Sequence, residues 1–246
     1  HDDIMDQAPL RRGQPTVHTK WNLNTGILSG DTMLILAYQY FEQYEPNIFQ
    51  ELAKIFSKTA IEVCEGQQYD VDFEQQAEVS TDQYLKMIAY KTAVLVGAAL
   101  KMGAIIAQTT EENKQKIYDF GLALGIAYQL QDDYLDTFGD ASFGKKIGGD
   151  ILQNKKTLLY LKALEKGTAE QKQELYALYT TEPKNEDEKI SRVTELFIAT
   201  QSHTYLRERV EAYTMEAFAI LDTLDIPQEK KDILKEFGRS LMNRTI

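Results

Sequence analysis

Two groups of aspartates share one spacing: Asp2, Asp3 and Asp6 in the run DDIMD, and Asp132, Asp133 and Asp136 in QLQDDYLD. On a helix, positions i and i+4 lie on one face, about 6 Å apart along the axis. Asp2 therefore shares a face with Asp6, and Asp132 with Asp136. Like charges so placed repel by roughly a few tenths of a kcal/mol. A chain that accepts this twice has reason to hold a cation between the carboxylates. Oxygen donors with no His or Cys beside them suit Mg²⁺, which takes one or two carboxylates and completes its shell with water and phosphate oxygens. Paired cations trail each group: Arg11-Arg12 after the first and Lys145-Lys146 after the second. Chelating acids followed by paired cations form a diphosphate-binding arrangement. One such cluster in an acidic protein would read as a solvated helix face; its repetition, each time with cations, points to chemistry.

Further candidates lie between the two groups. Lys91-Thr92 sits beside Tyr90 and ahead of a run of Ala, Val, Leu and Gly that should be buried. A lysine on such a stretch needs a counter-anion, and a diphosphate would supply one. Gly13-Gln14-Pro15, behind Arg11-Arg12, indicates a shaped loop. Cys64 is expected to pack inside its helix. His18 and His203 have no acidic neighbour in sequence and read as structural, whereas His1 borders the first aspartate group and is placed to support it.

Helices must position these groups. Apolar residues at three- and four-residue steps (Leu85, Ile88, Ala89, Ala93, Val96, Leu100) predict a helix from about Ser80 or Thr81, as N-cap, to Gln108. The same spacing (Ile117, Phe120, Leu124, Ala127, Tyr128, Leu135) predicts another from Glu111 to Asp136, capped by Thr109 or Thr110. Others are expected over 1–7, 21–44, 47–67, 157–165, 168–179, 188–221 and 228–242, with the acidic stretch 69–79 outside them. The segment 137–154, with FGDASFGKKIGGD, is the longest loop expected in the second half, and such loops are often functional. The fold class is all-α, with roughly nine helices.

Composition narrows the function. With 27 Lys and Arg against 38 Asp and Glu, the 246-residue chain carries a formal charge of −11. That argues against nucleic-acid binding and against docking on anionic membranes. An apolar fraction of 43% excludes disorder. Apolar runs look shorter than the ~20 residues a membrane helix needs, so no stable membrane insertion is expected. No signal peptide is visible. A single cysteine makes no internal disulfide and suits a reducing cytoplasm, so a cytoplasmic location is expected. Because the chain opens on His1 rather than Met, N-terminal sequence is expected to be missing.

The ordered set DDIMD, LRRG, KT, YQLQDDYLD, GKKIGGD and NKK, which covers essentially the whole chain, resembles the trans-type polyprenyl (isoprenyl) diphosphate synthases, the family of farnesyl and geranylgeranyl diphosphate synthases. The resemblance implies an isoprenoid synthase-type bundle of long antiparallel helices around a central cavity, normally a homodimer. It implies one polyprenyl synthase domain over 1–246 that lacks its N-terminal helices. The implied reaction ionises an allylic diphosphate, condenses the cation with isopentenyl diphosphate, and removes a proton to give a longer all-trans polyprenyl diphosphate. About three Mg²⁺ are implied per active site, with Asp2, Asp6, Asp132 and Asp136 as ligands and Asp133 completing the second motif. Arg11, Lys91, Lys145 and Lys155 match residues that hold the allylic diphosphate, and Arg12 matches one that holds isopentenyl diphosphate. Thr92 and Gln129 match polar residues at the reacting end, so Lys91, Thr92 and Gln129 form the expected catalytic set. Tyr128 stands where the family commonly has Phe. The family's glycine- and lysine-rich segment ahead of the first motif has no counterpart here, nor do the residues that set product length. A terpene cyclase and a non-catalytic subunit of a heteromeric synthase are the alternatives; the second motif DDYLD with GKK and NKK speaks against the first, and two intact aspartate motifs against the second.

Overall fold

Helices dominate because apolar residues recur at helical spacing with few Gly or Pro to interrupt them. The computed structural model describes residues 1–139, 147–183 and 185–242. It separates into two compact units, His1–Ile55 and Phe56–Ile246.

The first unit holds α1 (Asp2–Met5), a hairpin of β1 (Leu10–Arg11) with β2 (Gln14–Pro15), α2 (Val17–Lys20), α3 (Leu23–Gln39) and the start of α4 (Pro46–Gln75). The hairpin turns through Arg12 (φ 53°) and Gly13 (φ 73°). Two left-handed central residues match the twist of paired strands, so the expected shaped loop is a tight β-turn. Thr16 ties it down by donating its hydroxyl to the Ala8 carbonyl at 2.7 Å. The helix expected over 21–44 is shorter, because Asn22 caps α3 by accepting from the Thr25 N–H at 2.9 Å.

The second unit contains the rest of α4, then α5 (Thr81–Ile88), a π-helical turn over Ala89–Ala93, α6 (Val94–Ile106) and α7 (Glu111–Phe138). After them come α8 (Gly149–Leu152), α9 (Leu158–Lys166), α10 (Ala169–Thr180), α11 (Glu186–Ala199), α12 (Ser202–Asp222) and α13 (Gln228–Met242). The buried face of α7 organises the core. Leu130 joins Tyr84, Leu158, Leu159, Phe197 and Leu206, while Ile117, Phe120 and Leu124 join Ala217 and Leu221. Each fully buried Leu or Phe contributes about 1.5–3 kcal/mol. α6 and α7 approach closely through small residues. A Cβ on Gly121 would lie 2.7 Å from the Gly97 Cα, and one on Gly125 2.6 Å from the Ala93 Cα.

Several boundaries differ from expectation. α4 runs to Gln75 rather than ending near Gln67. Its last turn gains a Tyr69–Phe73 ring stack at 6.1 Å and the ammonium of Lys156, which donates to the Phe73 and Glu74 carbonyls at 2.5 and 3.1 Å. Cationic donors at a helix C-terminus satisfy its orphan carbonyls and its dipole. The helix expected over 188–221 is two, divided at Gln201, whose φ is 57°. Cys64 is exposed, not packed: two residues before Gly66, it lies about 200° round α4 from that buried glycine. The continuous helical run Thr81–Ile106 is 26 residues with a mean hydropathy of 1.4 in its most apolar window. By length and composition alone it reaches the span of a membrane, contrary to the expected short runs, yet it carries Lys86, Lys91 and Lys101 and sets Ala93, Val94, Gly97 and Ala98 into the core.

Candidate active site

Lys91 and Thr92 fall within the π-helical turn that joins α5 to α6. Such a turn inserts one extra residue per turn and appears frequently at functional sites. Its backbone bulges onto α4 at Gly66, where an added Cβ would lie 2.6 Å from the Tyr90 carbonyl carbon and 2.7 Å from the Lys91 Cα. One helical turn beyond Gly66, Asp70 meets the Lys91 ammonium at 2.6 Å. Both side chains are largely buried, at 23% and 13% exposure. The counter-anion that Lys91 requires is therefore supplied by the protein itself, through a residue that the sequence reading did not single out. The Gly66-x-x-x-Asp70 spacing was the available signal, because i and i+4 place the carboxylate above the glycine that admits the turn.

Thr92 donates its hydroxyl to the Gln129 Oε1 at 2.8 Å, and Gln129 donates its Nε2–H to the Asp133 Oδ1 at 3.0 Å. The other oxygen of Asp133 accepts from the Tyr84 hydroxyl. Asp133 is 5% exposed and Tyr84 1%. Burial, then the charge of Asp150, push the Asp133 carboxyl well above the usual carboxylate range, with the hydrogen bonds from Tyr84 and Gln129 opposing them. Burial and then Asp133 push the Tyr84 hydroxyl up, so it keeps its proton.

Asp136 of the second motif faces the chain that returns after α7. Asp136, 7% exposed, accepts the Asp150 N–H on its Oδ2 at 3.0 Å, and its carbonyl accepts the Gly148 N–H at 2.6 Å. Lys155 pairs with Asp150 at 3.5 Å. Its neighbour Lys156 clamps the end of α4 instead. Lys189, 3% exposed, donates to the Asn154 Oδ1 at 2.5 Å and lies over the Tyr179 ring; desolvation holds its ammonium below the ordinary lysine value. Lys145 lies outside the described residues.

In the first unit, α1 carries Asp2 and Asp3, with Asp6 at its C-cap. The Arg11 Nε donates to both Asp3 oxygens at 2.8 and 2.9 Å, and its Nη2 lies 3.5 Å from Asp2. The hydrogen bond to Asp3, against some desolvation, raises the guanidinium pKa further. The hairpin thus returns the first of the paired arginines to the acids. Arg12, at the left-handed turn position, is exposed. His1 donates its Nε2–H to the Ile27 carbonyl at 2.8 Å and lies 3.5 Å from Asp31. It ties α1 to α3.

The donors fit a hard divalent cation in kind: all are carboxylate oxygens, on or at the end of helices. Among the described residues, no group of three or more His, Cys, Asp and Glu side chains is gathered into a metal cage.

The model of a family described as polyprenyl synthetase matches residues 1–197. The chain belongs to the polyprenyl synthetase family. A geranylfarnesyl diphosphate synthase from Natronomonas pharaonis is 34% identical over 252 residues, covering 100% of this chain and 70% of the relative. A solved geranylgeranyl pyrophosphate synthase is 49% identical with a TM-score of 0.95, covering 99% of this chain and 76% of that one. A second, from Corynebacterium glutamicum and complexed with isoprenyl diphosphate and magnesium, is 28% identical with a TM-score of 0.89, covering 99% and 74%. The expectations of an all-α fold and of this family both hold.

Proposed function

We propose that the protein is a prenyltransferase that condenses isopentenyl diphosphate with an allylic diphosphate to give a longer all-trans polyprenyl diphosphate. Family membership supports the reaction class. The observation that carries the site is the π turn, which sets Lys91 on α4 and directs Thr92 to Gln129 on α7, one helical turn before the second aspartate motif.

Asp2, Asp6, Asp132 and Asp136 would hold divalent cations, Mg²⁺ at about three per site. When bound, these would stabilise the negative charge that develops on the departing diphosphate. Arg11, Lys91, Lys145 and Lys155 hold the allylic diphosphate, and Arg12 holds isopentenyl diphosphate. Arg11 and Lys91 already face carboxylates, so each exchanges one anionic partner for another when substrate enters, which avoids leaving a partly buried cation bare. Thr92 and Gln129 present fixed dipoles to the reacting end. No Ser or Cys nucleophile is required, and the released diphosphate would serve as the base that takes the proton.

Homodimer assembly is part of the same proposal. In α3 the apolar side chains of Leu28, Met33 and Ile35 are at least 60% exposed, and Tyr40 just beyond it is 72% exposed. A run of large exposed apolar groups of this kind marks an interaction surface. Light scattering of the full-length protein should give twice the chain mass.

The activity is tested by incubating full-length protein with Mg²⁺, isopentenyl diphosphate, and dimethylallyl or farnesyl diphosphate. A longer linear prenyl alcohol after dephosphorylation is the expected product. A cyclic hydrocarbon from the allylic substrate alone would identify a terpene cyclase. Tight binding to a synthase partner without turnover would identify a regulatory subunit.

A further inference from the structure

The second aspartate motif contains three carboxylates, and protein donors engage both oxygens of the middle one. Asp133 is buried, and both of its oxygens receive protons from protein groups, Tyr84 on α5 and Gln129 on α7. The Gln129 amide turns its NH₂ to Asp133, donating to the Oδ1 at 3.0 Å. The amide oxygen then faces Thr92, and the single hydroxyl proton of Thr92 is spent on that oxygen. What Thr92 can offer to a third group is lone pairs alone.

Resting on the prenyltransferase reading, we infer that Tyr84 and Asp133 are positioning residues: they fix the orientation of the Gln129 amide and thereby make Thr92 present an electron-rich oxygen to the developing allylic cation. Asp133 is on this account not a metal ligand. Polarity is what matters. If the amide turned over, its NH₂ would face Thr92, the hydroxyl proton would be released, and the Thr92 dipole would point its positive end at a positive charge. Preorganised dipoles act where charge develops in the transition state, so an inverted dipole raises the barrier without weakening diphosphate binding. Tyr84 lies 49 positions from Asp133 in sequence. It sits seven residues before Lys91, two helical turns along the segment that leads into the π turn.

Asp133→Asn is the informative variant, because its amide can present either an oxygen or an NH₂ to Gln129. Tyr84→Phe keeps the ring in the core and removes only the hydroxyl. The first readout is independent of turnover: the side-chain amide resonances of Gln129 in ¹⁵N-labelled protein, identified by their loss in Gln129→Met. They should move in Asp133→Asn and, by a smaller amount, in Tyr84→Phe. Unmoved resonances would overturn the inference. The second readout is kinetic. In Asp133→Asn, kcat should fall roughly 10- to 100-fold, KM for the allylic diphosphate should stay within about twofold, and the Mg²⁺ dependence should be unchanged. Adding Thr92→Val to Asp133→Asn should cost little more, because the two act as one unit. If the two losses multiply instead, or if Asp133→Asn demands much more Mg²⁺, the positioning role falls while the prenyltransferase reading stands. If the wild-type protein makes no elongated product, it is that reading that fails, and the amide resonances still decide the orientation of Gln129.

Discussion

Replacing Gly66 by Ala should damage both stability and turnover, because this glycine is where α4 meets the π turn. The added Cβ would lie 2.6 Å from the Tyr90 carbonyl carbon and 2.7 Å from the Lys91 Cα. Carbon atoms in contact sit about 3.5–4.0 Å apart, so the two backbones have to separate by about 1 Å. Neither obstacle is the end of a flexible side chain that can swing aside. Overpacking of this kind costs typically about 1–3 kcal/mol. A chain of this size loses about 2–4 °C per kcal/mol, so the melting temperature should fall by roughly 2–12 °C. The same separation stretches the 2.6 Å Lys91–Asp70 pair and moves Thr92. A misplacement of that size costs catalysis about 100-fold. Gly103 in α6 provides the control, since a Cβ there meets nothing within 4 Å. Gly103→Ala should stabilise the helix by up to about 1 kcal/mol. Circular dichroism melts and steady-state kinetics on the two variants decide the matter. Wild-type melting and kcat in Gly66→Ala, or an equal loss in Gly103→Ala, would refute the role given to the close approach.

Other variants probe separate parts of the site. Lys91→Ala should raise KM for the allylic diphosphate more than for isopentenyl diphosphate; equal rises in the two Michaelis constants would contradict its assignment. Lys156→Met removes the donor to the Phe73 and Glu74 carbonyls and should cost about 1–3 kcal/mol, seen as a lower melting temperature; unchanged melting would remove the clamp from the account. Burial lowers the folded-state pKa of Lys189, so the native state holds fewer protons than the unfolded chain as pH climbs toward the ordinary lysine value. Its contribution to stability should therefore rise with pH over that window. Urea midpoints between pH 7 and 10 should climb relative to Lys189→Met, and parallel curves would exclude the effect.

The acidic motifs were legible because DDxxD on a helix is a local pattern, and so were the caps, since Ser80 and Thr110 each accept the N–H three residues on. The core face of α7 was likewise readable from its spacing. What escaped was non-local or irregular. A π turn has no periodic signature, since it breaks the 3.6-residue rule for five residues only. α4 extends to Gln75 because a lysine more than 80 positions away caps it. Asp70 and Tyr84 acquire roles from partners on other helices, and neither has a sequence neighbour that announces this. The break at Gln201 requires a left-handed non-glycine residue, which propensity alone does not anticipate.

The most direct test of the central claim follows labelled isopentenyl diphosphate into product, with full-length wild-type protein beside Asp132→Ala. The account predicts label in a longer linear prenyl diphosphate with the wild type, a rate at least about 100-fold lower in the variant, and the same helical circular dichroism in both. Absence of labelled product from the wild type, or equal incorporation by the variant, would contradict it.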